Sequence, residues 1–322
     1  MDAGAGFPRL VGDVGGTNAR FAWIAGPEAP IDRVASTPCA DHPSLGAAIE
    51  SYLATHDLAR PRWAAIGIAT PVTGDRVRMT NHPWAFSIDA VQRELGLARL
   101  VVLNDFTALA LSLPALDPAD LQAVGGGAAA AGAPLALLGP GTGLGVSGLL
   151  FTPGGAAAVP IAGEGGHVTL AAADEREARV IELLRRRFGH VSAERALSGP
   201  GLAHLHEALA RLNGESRPAM TAAQITAAAD SDAHCAAVVD LFCGLLGGVA
   251  GNLALTLGAR GGVYVGGGIV PRIAGRLARS PFRERFEAKG RFRDYLAAIP
   301  TWLVLAQDSP ALVGAARALD GP

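Results

Sequence analysis

The sequence predicts an α/β protein made of two similar halves with a ligand cleft between them. Three observations predict it. A strand, a glycine turn and two further strands open the chain near Leu10, and the same order restarts near Leu135. After each opening, short apolar runs alternate with stretches of helical spacing, as in βα units. Half of the 322 residues are hydrophobic, enough core for one large or two medium domains.

In the first half, Leu10 to Asp13 reads as a buried strand end and Val14 to Asn18 as a turn. Ala19 to Ile24 returns as a second strand, and a third lies around Arg33 to Ser36. Ser44 to Thr55 carries apolar residues at helical spacing, at Leu45, Ala48, Ile49 and Leu53. Trp63 to Ala69 is a buried strand ended by Pro71. Gly74-Asp75 signals a hairpin, with Arg76 to Met79 as its return strand. Ser87 is a suitable N-cap for a helix through Leu95. Leu100 to Leu103 is a strand running into Asn104-Asp105, and a helix follows from about Phe106.

A Gly/Ala bridge, Gly125 to Gly132, reads as a surface loop before the second half. Leu135–Leu138, Val146–Phe151 and Ala156–Ile161 then read as three strands. Helices follow at about Glu175–Phe188, Gly201–Leu212, Thr221–Asp230 and Ala236–Leu257. Gly262–Val265 is a strand, helices come near Pro271–Ala278 and Phe282–Lys289, Thr301–Ala306 is a strand, and Pro310–Leu319 is the last helix. The repetition of strand, glycine turn, strand, strand is a duplication at the level of the fold. A cleft between two such halves is a usual ligand site.

Composition excludes several classes. The net charge is −2 and charged residues are 17%, so no basic field draws nucleic acid or an anionic membrane. Three cysteines, Cys39, Cys235 and Cys243, with no CxxC and no His/Cys cluster, argue against disulfides and zinc. Met1 to Arg9 lacks the charged start and apolar core of a signal peptide, so a reducing cytosol is expected. Leu241 to Ala259 is uncharged and long enough to raise the question of a membrane helix. Gly244, Gly247, Gly248, Gly251, Asn252 and the absence of aromatic or basic flanks favour a helix buried between layers of a soluble protein.

The glycine turns carry the first chemical signal. Gly139-Pro140-Gly141-Thr142-Gly143-Leu144-Gly145 joins two apolar runs, and without Cβ atoms its N–H groups can approach a ligand closely. Successive N–H groups in such a turn form an anion nest, although a plain hairpin turn has the same composition. Pro140 has no N–H, so the donors would be Gly141, Thr142 and Gly143. No G-x-x-x-x-G-K-[ST] exists, which excludes a P-loop NTPase. Gly143, Gly145 and Gly148 match G-x-G-x-x-G, but that fingerprint must open a helix and Val146 to Phe151 reads as a strand. Asp105 ends a buried strand, where open α/β sheets place ligands. Taken alone, its residue type and position fit a helix N-cap or a catalytic base equally.

Asp13-Val14-Gly15-Gly16-Thr17-Asn18-Ala19-Arg20, followed by the second G-x-G-T-G hairpin, resembles the actin, hexokinase and heat-shock chaperone superfamily. Further blocks narrow the resemblance to bacterial glucokinases outside the repressor-type (ROK) sugar kinases. They are Thr80 to Ser87 (TNHPWAFS), Asn104 to Ala108 (NDFTA), Gly163 to His167 (GEGGH), Gly189 to Arg195 (GHVSAER) and Gly261 to Gly268 (GGVYVGGG). Together they cover nearly the whole chain from Leu10. ROK kinases carry a cysteine-rich zinc loop, which three scattered cysteines cannot supply.

The resemblance implies two ribonuclease H-like, actin-like α/β domains and ATP-dependent phosphorylation of glucose at its 6-hydroxyl. It implies Asp105 as general base and Asn104, Asp105, Glu164, His167 and Glu194 as the sugar-binding set. The phosphate turns would be Gly12, Asp13, Val14, Gly15, Gly16 and Thr17, with Gly141, Thr142 and Gly143. Gly266, Gly267 and Gly268 would form the adenosine turn. Asp13 would hold Mg²⁺, through water. Asn81, His82 and Trp84 would wall the sugar site, with the role of Trp84 open. Partners would be glucose and ATP, with no nucleic acid and no membrane, in a cytoplasmic homodimer. The expected domains are 1–112 plus 307–322, and 113–306. Closure of the cleft on sugar would exclude water and suppress ATP hydrolysis. A kinase for another hexose and a sugar-responsive regulator are the alternatives. The regulator is disfavoured because only nine residues precede Leu10, too few for a helix-turn-helix. A filament or chaperone ATPase would lack the sugar set.

Overall fold

A computed structural model describes residues 6–152, 157–306 and 310–321. In chain order the strands and helices begin β1 (Arg9–Val14), β2 (Asn18–Ile24), β3 (Asp32–Pro38), α1 (Leu45–Thr55), β4 (Trp63–Ile68), β5 (Arg76–Arg78), β6 (Ala85–Ser87), α2 (Ile88–Glu94), β7 (Arg99–Asn104) and α3 (Asp105–Ser112). They continue with β8 (Leu121–Ala123), β9 (Leu135–Pro140), β10 (Leu144–Phe151), β11 (Ala158–Gly163), α4 (Glu175–Phe188), α5 (Ala193–Ala196), α6 (Gly199–Leu212) and α7 (Ala222–Ala228). The last are α8 (Ala233–Leu257), β12 (Gly262–Val265), α9 (Val270–Leu277), α10 (Phe282–Glu287), α11 (Arg293–Ala297), β13 (Thr301–Val304) and α12 (Pro310–Ala318).

The chain divides into two compact units. One comprises Met1–Leu116, Ala157–Ala162 and Ala306–Pro322, the other Asp117–Ala156 and Gly163–Leu305.

In the first unit the apolar runs become a sheet ordered β3-β2-β1-β4-β7. β1, β2 and β3 are antiparallel neighbours, and β1, β4 and β7 run parallel. Parallel strands buried on both faces need continuous apolar sequence, and β4 is buried from Ala64 to Ile68. On one face, Leu10, Phe21, Ile49, Ile66 and Trp84 share a core. On the other, Leu312 and Ala315 of α12, with Leu319 just beyond it, share a core with Val11, Ala22 and Ala65. Gly314 sits so close to the Ala108 carbonyl that a Cβ there would overlap it. Arg9 pairs with Asp320 at 2.7 Å, and Arg99 donates to the Leu319 and Gly321 carbonyls. The helix starts are capped as their residue types dictate: the Ser44 and Ser87 side chains accept from Ala47 N and Ala90 N, each cap contributing about 1 kcal/mol.

One sequence expectation is corrected here. β5 does not return along β4 from a Gly74 hairpin; it pairs with β6 in a separate ribbon. Pro71 lies just beyond β4, whose last residue is Ile68. The Asp75 carboxylate accepts from Ser87 Oγ (3.0 Å) and Asp89 N (2.9 Å), tying the segment to the start of α2. These hydrogen bonds hold the Asp75 carboxyl below the usual range.

Five strands of the second unit lie in the order β10-β9-β12-β13-β8. The β9–β10 hairpin is antiparallel and β9, β12 and β13 run parallel, repeating the arrangement of β2, β1, β4 and β7. The 25-residue α8 is apolar and long enough to cross a membrane, yet 61% of its most apolar window is buried within the protein. It packs against α6 and α10. Gly247 and Gly251, one turn apart, face the carbonyls of Phe282 and Phe286, also four residues apart, and neither position has room for a Cβ. The glycines that punctuate this helix therefore admit the backbone of α10.

Candidate functional site

The candidate residues gather in two places, one in each unit. In the first, they lie at the carboxyl ends of β1, β4 and β7. Parallel register sets Asp13 opposite Gly67 and Ile68 opposite Asn104. After Asp13 the chain turns through Gly15, Gly16 and Thr17 into β2. Gly15 N donates to Asn18 O (2.9 Å), and Cys39 N donates to Thr17 O (2.8 Å), which fixes the turn from behind. Gly16 and Thr17 N–H have no partner among the described residues. A Cβ at Gly16 would come within 2.7 Å of Asn81 Cβ, so the Thr80–Ser87 segment lies on this turn. Gly12 answers to the core instead: its Cβ would meet Ile66 Cδ1 at 2.7 Å.

Asn104 and Asp105 divide the two roles that sequence left open for Asp105. The N-cap is Asn104, whose Oδ1 accepts from Phe106 N (2.9 Å) and Thr107 N (3.3 Å). Its Nδ2 donates to Thr70 O (3.4 Å), leaving one amide N–H. Thr70 is itself anchored, with Oγ1 donating to Arg78 O (2.9 Å) and lying 3.1 Å from Thr80 Oγ1. Asp105 is the first residue of α3, and its Oδ1 accepts from Phe106 N (2.9 Å). Burial pushes its carboxyl up to about 6; the Phe106 N–H opposes that rise, and the negative charge of Asp13 adds to it. Gly67 makes room for it: a Cβ there would lie 3.2 Å from Ala108 Cβ and 3.7 Å from Asp105 Cα.

Trp84 is core rather than surface. It is 4% exposed, its Nε1 donates to His42 O (3.0 Å), and His82 packs edge-on against it. Asn81 is exposed and His82 half-buried.

In the second unit the candidates converge on Leu144, the first residue of β10. Leu144 N donates to Glu194 Oε2 (2.9 Å), and a Cβ at Gly143 would collide with the same oxygen. A Cβ at Gly166 would strike Leu144 O, and one at Gly165 would lie 2.7 Å from Val146 Cγ1. Those two glycines let the Gly163–His167 segment lie directly on β10. Glu164 and His167 stand exposed on either side of them, with His167 N donating to Glu164 O (3.0 Å).

The turn between β9 and β10 is held internally. Gly141 N donates to Gly143 O (2.8 Å), and Gly141 O accepts from Gly199 N at the start of α6 (2.8 Å). Of the three N–H donors expected, Gly141 is thus taken up by the turn itself, while Thr142 and Gly143 have no partner among the described residues. Gly266 N donates to Leu138 O (2.9 Å), and Gly267 has φ +85° with Pro140 O only 2.5 Å from where its Cβ would be. The two glycine turns of this unit are therefore packed on each other.

Asn104, Asp105, Asp13 and the first turn are thus brought together in one unit. Glu164, His167, Glu194, the second turn and Gly266–Gly268 are brought together in the other. Sequence reasoning missed Thr70, which holds Asn104, and the Leu144 N–H, which holds Glu194. Neither is a residue type or a backbone group that marks itself in a sequence.

Two α/β units that repeat one topology, with glycine hairpins and a strand-end carboxylate, define an actin-like kinase fold. The glucokinase family profile matches residues 10–321. The chain belongs to the glucokinase family. It is 59% identical over 317 residues to the glucokinase of Aromatoleum aromaticum, covering 98% of this chain and 95% of that one. A solved glucokinase from an Antarctic psychrotroph superposes with TM-score 0.89 at 39% identity, covering 97% and 98% of the two chains. A ROK-family glucokinase from Streptomyces griseus, solved with glucose and AMPPNP, shares the fold at TM-score 0.65 and 19% identity, covering 98% and 100%.

Proposed function

We propose that the protein phosphorylates D-glucose at its 6-hydroxyl with ATP, with Asp105 as the general base. The observation that supports this reading most is the state of Asp105. Its neighbour Asn104 caps α3, so the Asp105 carboxylate is not needed as the cap. A carboxyl with a pKa of about 6 is ionised near neutral pH yet basic enough to accept a proton.

In the reaction the sugar 6-oxygen attacks the γ-phosphorus in line with the leaving oxygen of ADP. The new O–P bond forms as the old one breaks, and the hydroxyl proton passes to an Asp105 oxygen. Little covalent chemistry is asked of the protein, so positioning and electrostatics carry the rate. The remaining N–H of Asn104, with Glu164, His167 and Glu194, would hold the sugar hydroxyls. Thr142 and Gly143, together with Gly16 and Thr17, would offer N–H groups to the phosphates. Gly266, Gly267 and Gly268 would border the adenosine.

Asp13 suits Mg²⁺, which needs few protein carboxylates and otherwise takes phosphate oxygen and water. Bound there, Mg²⁺ would neutralise phosphate charge.

The proposed domains are 1–112 with 307–322, and 113–306. We also propose a cytoplasmic homodimer whose two domains close on glucose. A coupled assay with glucose, mannose, fructose, N-acetylglucosamine and buffer alone tests the reading. ATP turnover should require glucose; turnover favouring another hexose, or independent of sugar, would overturn it. Small-angle scattering should show a smaller radius of gyration with saturating glucose, and no change would remove the closure.

A further inference from the structure

The second unit holds a pocket of about 330 Å³ that the proposed reaction does not use. That volume lies in the range of small-molecule sites. Its walls are mostly apolar, including Val146, Leu170, Leu245, Val249 and Leu253. At one end stand three charges: Glu177, Arg285 and Lys289, the only lysine in the chain.

Two of those charges satisfy each other. Arg285 Nη2 donates to Glu177 Oε1, and Glu177 Oε2 also accepts from Ala173 N (2.7 Å). Arg285 Nη1 donates in addition to Asp174 Oδ2 at 3.2 Å. Lys289 is different. Its Nζ donates to Gly248 O (2.9 Å), and it belongs to no ion pair among the described residues. An ammonium has three donors, so two remain. Burial and the neighbouring Arg285 charge push its pKa down, and the Glu177 carboxylate offsets this only in part.

Gly248 supplies a second, independent observation. It lies mid-helix in α8, where glycine costs about 1 kcal/mol against alanine. Gly247 and Gly251 are demanded by α10, but a Cβ at Gly248 would meet nothing within 4 Å. Its missing side chain leaves volume in the pocket and exposes the carbonyl that Lys289 grips.

We propose that this pocket binds a small amphipathic monocarboxylate, its head on Lys289 Nζ and its apolar body along α8. Arg285 is already paired with Glu177 and Asp174, so Lys289 alone is left to receive an anion, which matches a single carboxylate better than a dianion.

Octanoate is the probe, with 1-octanol as its uncharged counterpart, and binding is read by chemical-shift titration of the full chain. Two variants are paired with it. Lys289→Gln keeps a donor toward Gly248 O but removes the charge. Gly248→Leu fills the pocket with a better helix former. Neither residue touches the proposed catalytic groups, so both variants should phosphorylate glucose like the wild type, which checks their fold. Wild type should bind octanoate saturably, with 1-octanol and each variant weaker by about tenfold or more, the effect of losing one charge-assisted contact. Equal binding of octanol, wild-type affinity in either variant, or no saturable binding of octanoate would overturn the proposal.

Discussion

The two units repeat one topology and use it differently. In the first, the strand ends hold carboxylates: Asp13 is half-buried at the end of β1, and Asp105 opens α3 after β7. In the second, the same region of the sheet holds two glycine turns packed on each other, and the polar groups Glu164 and His167 stand in solvent. Asp105, half-buried at its strand end, has a raised pKa and is suited to accepting a proton. Exposed polar groups beside backbone N–H donors are suited to binding hydroxyls and phosphates. In the proposed assignment, then, the first unit supplies the base and the second supplies exposed binding groups at Glu164 and His167.

Replacing Asp105 breaks the comparison most severely. Asp105→Ala should lower turnover by about 10²-fold or more, the low end for general-base catalysis. Near-normal turnover in the folded variant would contradict the assignment. In the second unit, Gly267→Ala puts a side chain at φ +85° against Pro140 O. It should cost about 1–3 kcal/mol of stability and raise KM for ATP more than KM for glucose. Glu194→Ala frees the Leu144 N–H and should raise KM for both substrates; an effect on glucose alone would show that the 2.9 Å bond to the turn is idle.

Burial of Asp105 also predicts a trade of stability for chemistry. Its pKa rises on folding, from near 4 to about 6. The folded state therefore holds this proton more tightly than the unfolded state does. The associated stability is full below about pH 4 and is lost as pH climbs through 6. At pH 7–8, Asp105→Asn should be more stable than wild type by on the order of 1–3 kcal/mol, and the gap should narrow as pH falls toward 4. Thermal midpoints of the two proteins across pH 4–8 check this. The smallest effect belongs to Trp84→Phe, which loses the bond to His42 O. It should cost about 1 kcal/mol and leave kinetics unchanged, since the indole is a core plug.

Much of this was legible in the sequence because periodicity and glycine spacing are local. The strands β1, β4, β9 and β12, the cap at Ser87, and the duplicated hairpin all follow from neighbouring residues. What was not legible depends on distant partners. β5 pairs with β6 because Asp75 reaches the start of α2, twelve and fourteen residues on. The three-residue strand β8 is defined by its pairing with β13. Glu194 finds Leu144 N across fifty residues. The sharing of roles between Asn104 and Asp105 also escaped the sequence, since either residue type can cap a helix and only the hydrogen bonds tell them apart.

The pH dependence of kcat/KM for glucose tests the central claim most directly. With Asp105 as the base, kcat/KM should be level above about pH 6 and fall roughly tenfold per unit below it, as the carboxyl of about 6 takes up its proton. A profile that stays level down to pH 5 would contradict the account.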